Sequence, residues 1–86
     1  MLAPEEVERR IREAVPGATV SVRDLTGDGA CLEVQVVSAE FEGKPMADRH
    51  RLVYEPLRER LEAARVHALA IETFTPTQWE HLNPRG

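Results

Sequence analysis

The chain has 86 residues, 42% of them apolar and 30% charged, with a formal net charge of −4 and a pI near 5.3. That length leaves room for one small domain spanning residues 1–86, and the balance is that of a globular chain rather than a disordered, fibrous or membrane-embedded one. The negative charge withholds long-range attraction to phosphate, which argues against indiscriminate nucleic-acid binding, and a lone cysteine excludes an internal disulfide framework. No apolar run approaches the roughly 18 residues of a spanning helix. The acidic start Met1-Leu2-Ala3-Pro4-Glu5-Glu6 is unlike a secretory signal, so the expected location is the cytoplasm.

Pro4, Glu5 and Glu6 predict a first helical turn, with proline where its missing N–H costs nothing and acids at the positive end of the dipole. Val7, Ile11, Ala14 and Val15 fall on one face, and Pro16-Gly17 stops the helix. From Ala18 to Leu25 the pattern alternates, with Ala18, Val20 and Val22 on one side. The loop Thr26-Gly27-Asp28-Gly29-Ala30 is short enough to join antiparallel strands, and Asp28 reads as a turn residue. Leu32, Val34 and Val36 then alternate with Glu33 and Gln35 in a second strand.

Gly43 and Pro45 punctuate the start of a helix in which Met46, His50, Val53 and Leu57 recur. Pro56 removes a backbone donor, which predicts two consecutive helices over 45–54 and 56–64. Leu57, Leu61 and Ala64 supply the apolar face of the second, with Arg58, Glu59, Arg60 and Glu62 as its solvated side. Val66 to Phe74 is rich enough in β-branched and aromatic residues for a third strand. Thr75 and Gln78 have the spacing of a capping box, and Phe74 and Trp79 that of a hydrophobic staple, so a last short helix begins there. The tail 81–86 is expected to fray.

The expected fold is therefore a two-layer α+β domain of order αββααβα, with a three-stranded mixed sheet and its helices on one face. A connection as long as that between the second and third strands joins parallel neighbours. Parallel neighbours start at the same end of a sheet. The residues opening those two strands are Cys31 and His67, a thiol and an imidazole, which topology would bring together from distant points of the chain.

Four stretches together resemble one family. They are Val36-Val37-Ser38-Ala39-Glu40-Phe41-Glu42-Gly43-Lys44-Pro45, then Arg49-His50-Arg51-Leu52-Val53-Tyr54, then Val66-His67-Ala68-Leu69, then Thr73-Phe74-Thr75-Pro76 with Trp79. Each is short, but in this order and at this spacing they are similar to the BolA family over nearly the whole chain. The resemblance implies a fold like the class II KH domain. It also implies a heterodimer with a monothiol glutaredoxin that bridges a [2Fe–2S] cluster, with a role in cluster trafficking or iron regulation.

The same resemblance matches the family's C-terminal histidine to His67 and the Cys-or-His of its hairpin loop to Cys31, making these two the expected metal ligands. Ala30 and Leu32 flank Cys31 where relatives often carry glycines. Two donors do not complete a cluster, and the resemblance assigns the remainder to the glutaredoxin's cysteine and its bound glutathione. The plainer reading makes Cys31 a packed thiol and His67 a strand residue. Homodimerisation of the isolated chain stays open.

Lys44, Arg49 and Arg51 carry the alternative, contact with an acidic partner or with DNA through segment 43–54, in keeping with family members described as transcriptional regulators. A solvated helix face is the default for such a run, and Glu42 and Asp48 dilute its charge. The Gly-x-x-Gly clamp of strand-binding KH domains is missing. His50 reads as part of the packing stripe, and His81 receives no role. With no serine paired to a base, no phosphate loop and no carboxylate pair on a recognisable scaffold, no catalysis is expected.

Overall fold

The structure is a computed structural model and describes residues 2–82. Helix α1 (Pro4–Ala14) leads into strands β1 (Thr19–Asp24) and β2 (Cys31–Val37). Helix α2 (Met46–Tyr54) and helix α3 (Arg58–Ala63) follow, then strand β3 (Ala68–Phe74) and helix α4 (Pro76–Leu82). Of the expected fraying tail, His81 and Leu82 lie in α4, while residues 83–86 fall outside the described residues.

The sheet order is β1-β2-β3, with β1 antiparallel and β3 parallel to β2. Alternation in the strands selects the covered face. Val20, Leu32, Val34 and Val36 point under the helices and are buried, while Ser21, Arg23, Ala68, Ala70 and Glu72 line the open face. On β3 the inward side, which composition left ambiguous, carries Leu69, Ile71 and Thr73. Helix α1 contributes Val7 and Ile11, with Val15 at its C-cap, at four-residue spacing; Ala14, expected beside them, is exposed.

Between the two parallel strands the chain makes two 3₁₀ turns that the periodicity did not announce. In the first, Ala39–Phe41, the Ser38 hydroxyl accepts the Glu40 N–H at 3.0 Å, and Phe41 is driven fully into the core. In the second, Glu55–Leu57, Pro56 interrupts the helical ladder as expected, but the chain keeps right-handed dihedrals and buries Leu57.

The end of α3 aims the chain at β3. Val66 N–H reaches the Leu61 carbonyl (3.1 Å) and Arg65 N–H the Glu62 carbonyl (3.2 Å), a Schellman turn with Arg65 at φ 55° in the position that glycine usually takes. Helix α3 is also pinned to α1. Arg60 donates through Nε and Nη2 to both Glu6 oxygens (2.8 and 3.3 Å), and Arg10 Nε donates to the same carboxylate at 2.9 Å. Arg60 is thus an inter-helix tie and not part of a solvated side. The two guanidiniums hold the Glu6 carboxyl down to about 2.

Candidate functional site

The parallel register places Cys31 opposite Ala68 at one end of the sheet. The strand begins at Ala68 and not at the expected Val66, so His67 lies just ahead of it, at the same end of the sheet as Cys31. Ala30 is the joint between them. Its carbonyl accepts the N–H groups of both His67 (2.8 Å) and Ala68 (3.1 Å), while the Cys31 carbonyl accepts the Leu25 N–H at 2.9 Å. The main chain on each side of the two donors is therefore fixed. Their side chains are accessible: His67 is exposed, and Cys31 is half-buried and unpaired.

The loop presenting Cys31 is built from its own carboxylates. Asp24 Oδ1 accepts the N–H groups of Thr26 (3.3 Å) and Gly27 (2.9 Å), and its Oδ2 accepts that of Gly29 (2.9 Å). Asp28 Oδ1 accepts the Thr26 hydroxyl at 2.6 Å and the Ala30 N–H at 3.0 Å. Those two bonds hold the Asp28 carboxyl below its ordinary range, and the field of His67 adds a smaller push in the same direction. Asp28 is the turn residue its setting implied. Asp24 escaped notice in the sequence, although an acid just before Thr-Gly-Asp-Gly is placed for such side-chain-to-backbone turns.

Thiolate and imidazole are both iron ligands in [2Fe–2S] sites, and here one of each is accessible at the same end of the sheet. Among the described residues no group of three or more His, Cys, Asp or Glu is placed to hold a metal ion. Two donors are fewer than the four protein or partner ligands that a [2Fe–2S] cluster takes.

The basic segment divides. Arg49 is only 8% exposed: its Nε donates to the Lys44 carbonyl (2.9 Å), its Nη1 to Gln78 Oε1 (3.0 Å), and its guanidinium carbon lies 6.0 Å from the centre of the Phe41 ring. It belongs to the interior, which corrects its expected place on a solvated contact face. The buried stripe of α2 runs through Arg49 and Val53, so His50 and Met46, expected in that stripe, are exposed. Helical geometry decides this, because Arg49, Val53 and the 3₁₀ residue Leu57 recur every four residues.

Lys44 and Arg51 remain outside. They border a shallow hollow of about 550 Å³ shared with Ala14, Asp48, Leu52, Glu55 and Pro56, and Arg51 pairs with Asp48 at 3.8 Å. Asp48 and Glu55 line the same hollow as the two cations.

Gln78, which receives Arg49, also accepts the Thr75 N–H (2.9 Å), while the Gln78 N–H reaches the Thr75 hydroxyl (3.1 Å). That is the expected capping box, reciprocated. Phe74 and Trp79 meet edge to face at 5.2 Å, closing the staple.

A mixed three-stranded sheet under a single layer of helices, with an imidazole and a thiol at the shared start of its parallel strands, defines a small α+β domain of KH-like topology. Residues 9–78 match the BolA-like protein family, and the chain belongs to it. It is 40% identical over 80 residues to mouse (Mus musculus) BolA-like protein 2, covering 91% of each chain. It is 34% identical over 89 residues to a relative in Escherichia coli named DNA-binding transcriptional regulator BolA, covering 95% of this chain and 84% of that one. The solved structure of BolA1 from Arabidopsis thaliana superimposes with a TM-score of 0.78 at 30% identity, covering 87% of this chain and 93% of that one.

Proposed function

We propose that this BolA-family chain is a ligand-donating partner, not an enzyme, that binds a monothiol glutaredoxin and contributes His67 and Cys31 to a [2Fe–2S] cluster bridging the two proteins. The observation that carries this reading is the β2–β3 register, which puts both donors on one accessible edge with their backbones anchored at Ala30. The glutaredoxin's active-site cysteine and its glutathione supply the other iron's ligands. When bound, the cluster is the cargo or the signal, and histidine in place of a second thiolate raises its potential.

The test is anaerobic reconstitution with a monothiol glutaredoxin, glutathione, iron and sulfide, followed by visible absorption and circular dichroism. The heterodimer should give a spectrum distinct from that of the glutaredoxin homodimer. His67→Ala and Cys31→Ala should each shift it back. A wild-type spectrum matching the homodimer rules the reading out.

The name of the Escherichia coli relative favours a second reading, contact with duplex DNA through segment 43–54. Its exposed cations are Lys44 and Arg51, since Arg49 is buried. Retardation of a duplex at low salt that disappears in Lys44→Glu with Arg51→Glu supports it, and no retardation at low salt ends it.

A further inference from the structure

The two donors sit on different segments, and what joins those segments is a run of hydrogen bonds starting at Asp24. Its carboxylate binds three loop positions, including the N–H groups of Gly27 and Gly29, both in the left-handed region at φ 85° and 81°. That fold of the loop positions Thr26 between Asp28 and the Cys31 N–H, to which its hydroxyl lies at 2.6 Å and 3.4 Å. Asp28 in turn takes the Ala30 N–H, and the Ala30 carbonyl takes the N–H groups of His67 and Ala68. The chain of contacts passes from Asp24 through the loop to the peptide between Ala30 and Cys31, and ends on the backbone of His67.

We infer that Asp24 is the positioning residue of the ligand pair: its carboxylate presets the loop so that the Cys31 thiol is presented at a fixed offset from the His67 imidazole. Three donors on one carboxylate explain the choice of residue. Asparagine keeps the Oδ1 acceptor but turns a donor toward the Gly29 N–H, and alanine keeps neither. Without the bracket, a loop with two glycines regains its freedom, and the Ala30–Cys31 peptide loses the support of Thr26 and Asp28, leaving the thiol positioned by the Leu25 and β3 backbone bonds alone.

This inference rests on the proposed cluster reading, so the experiment separates the two. Wild type, Asp24→Ala, Asp24→Asn and Cys31→Ala are each reconstituted with a monothiol glutaredoxin and glutathione. Circular dichroism of the cluster, the rate of cluster loss to a chelator and the affinity for the cluster-free glutaredoxin are then measured. Asp24→Ala should keep the affinity, lose the cluster about tenfold faster and shift the dichroism toward that of Cys31→Ala, with Asp24→Asn between.

Deuterium exchange should show faster loss of protection at Gly27 and Gly29 in both Asp24 variants. If Asp24→Ala does not fold, Asp24→Asn and its exchange pattern decide. A wild type distinct from the glutaredoxin homodimer, with Asp24 variants identical to it, overturns the positioning role and leaves the cluster reading standing. A wild type indistinguishable from the homodimer overturns both.

Discussion

The two ends of the β2–β3 pair both carry polar side chains that invite a functional interpretation, yet the fold uses them in opposite ways. At the end where the strands finish, Arg49, Gln78 and Thr75 bind one another and the backbone, and the guanidinium is turned inward over Phe41. At the end where they start, the backbone and the loop carboxylates make the bonds, while the imidazole and thiol are left accessible. A polar group whose bonds are complete within the chain has little left for a partner. One held in place by bonds to its neighbours' backbone is available.

Substitutions at the two ends should therefore separate stability from cluster binding. The largest effect is expected for Arg49→Met, which removes two charged hydrogen bonds from the interior and should cost about 3 kcal/mol in urea denaturation. The folded fraction should still load a cluster normally; a ligation defect out of proportion to unfolding would break the contrast. Thr75→Ala opens the capping box and should cost about 1 kcal/mol by the same measurement, again without a change in the cluster spectrum.

Glu6 is a further group of the inward kind, and it makes the contrast dependent on pH. Its carboxyl is held down to about 2 from the usual 4.5, by Arg60 first and Arg10 second. A depressed carboxylate stabilises the fold fully above the unfolded value, and that stability is lost as pH falls from about 4.5 toward 2. The urea midpoint should decline over that window in the wild type and less steeply in Glu6→Gln. Equal slopes would mean that the tie between α1 and α3 contributes nothing. The smallest change in stability is expected for His67→Ala, within about 0.5 kcal/mol of wild type, although it should abolish the heterodimer's spectrum.

What the sequence disclosed follows from how far each signal reaches. The capping box and staple lie within six residues, and the alternation in β1 and β2 within one strand each, so both were legible. The shared edge of Cys31 and His67 was legible too, because handedness and crossover length constrain topology without knowledge of any contact. Arg49 was not. Flanked by His50 and Arg51 it looks like part of a charged face, and the groups that satisfy it lie in another helix and on the Lys44 carbonyl. Arg60 likewise finds Glu6 only across the fold. The turn at Ala39–Phe41 is too short to show a period.

Parallel pairing of β2 with β3 has a further consequence, for the order of events during folding. The hairpin of β1 and β2 can close early from its own short loop, whereas β3 docks only after the crossover is in place, a nonlocal step that comes at a large entropic cost. A half-synthesised chain thus carries the thiol without the imidazole, and a chain with β3 undocked holds the two apart. Under the proposed cluster reading, the donor pair would therefore exist only in a finished molecule.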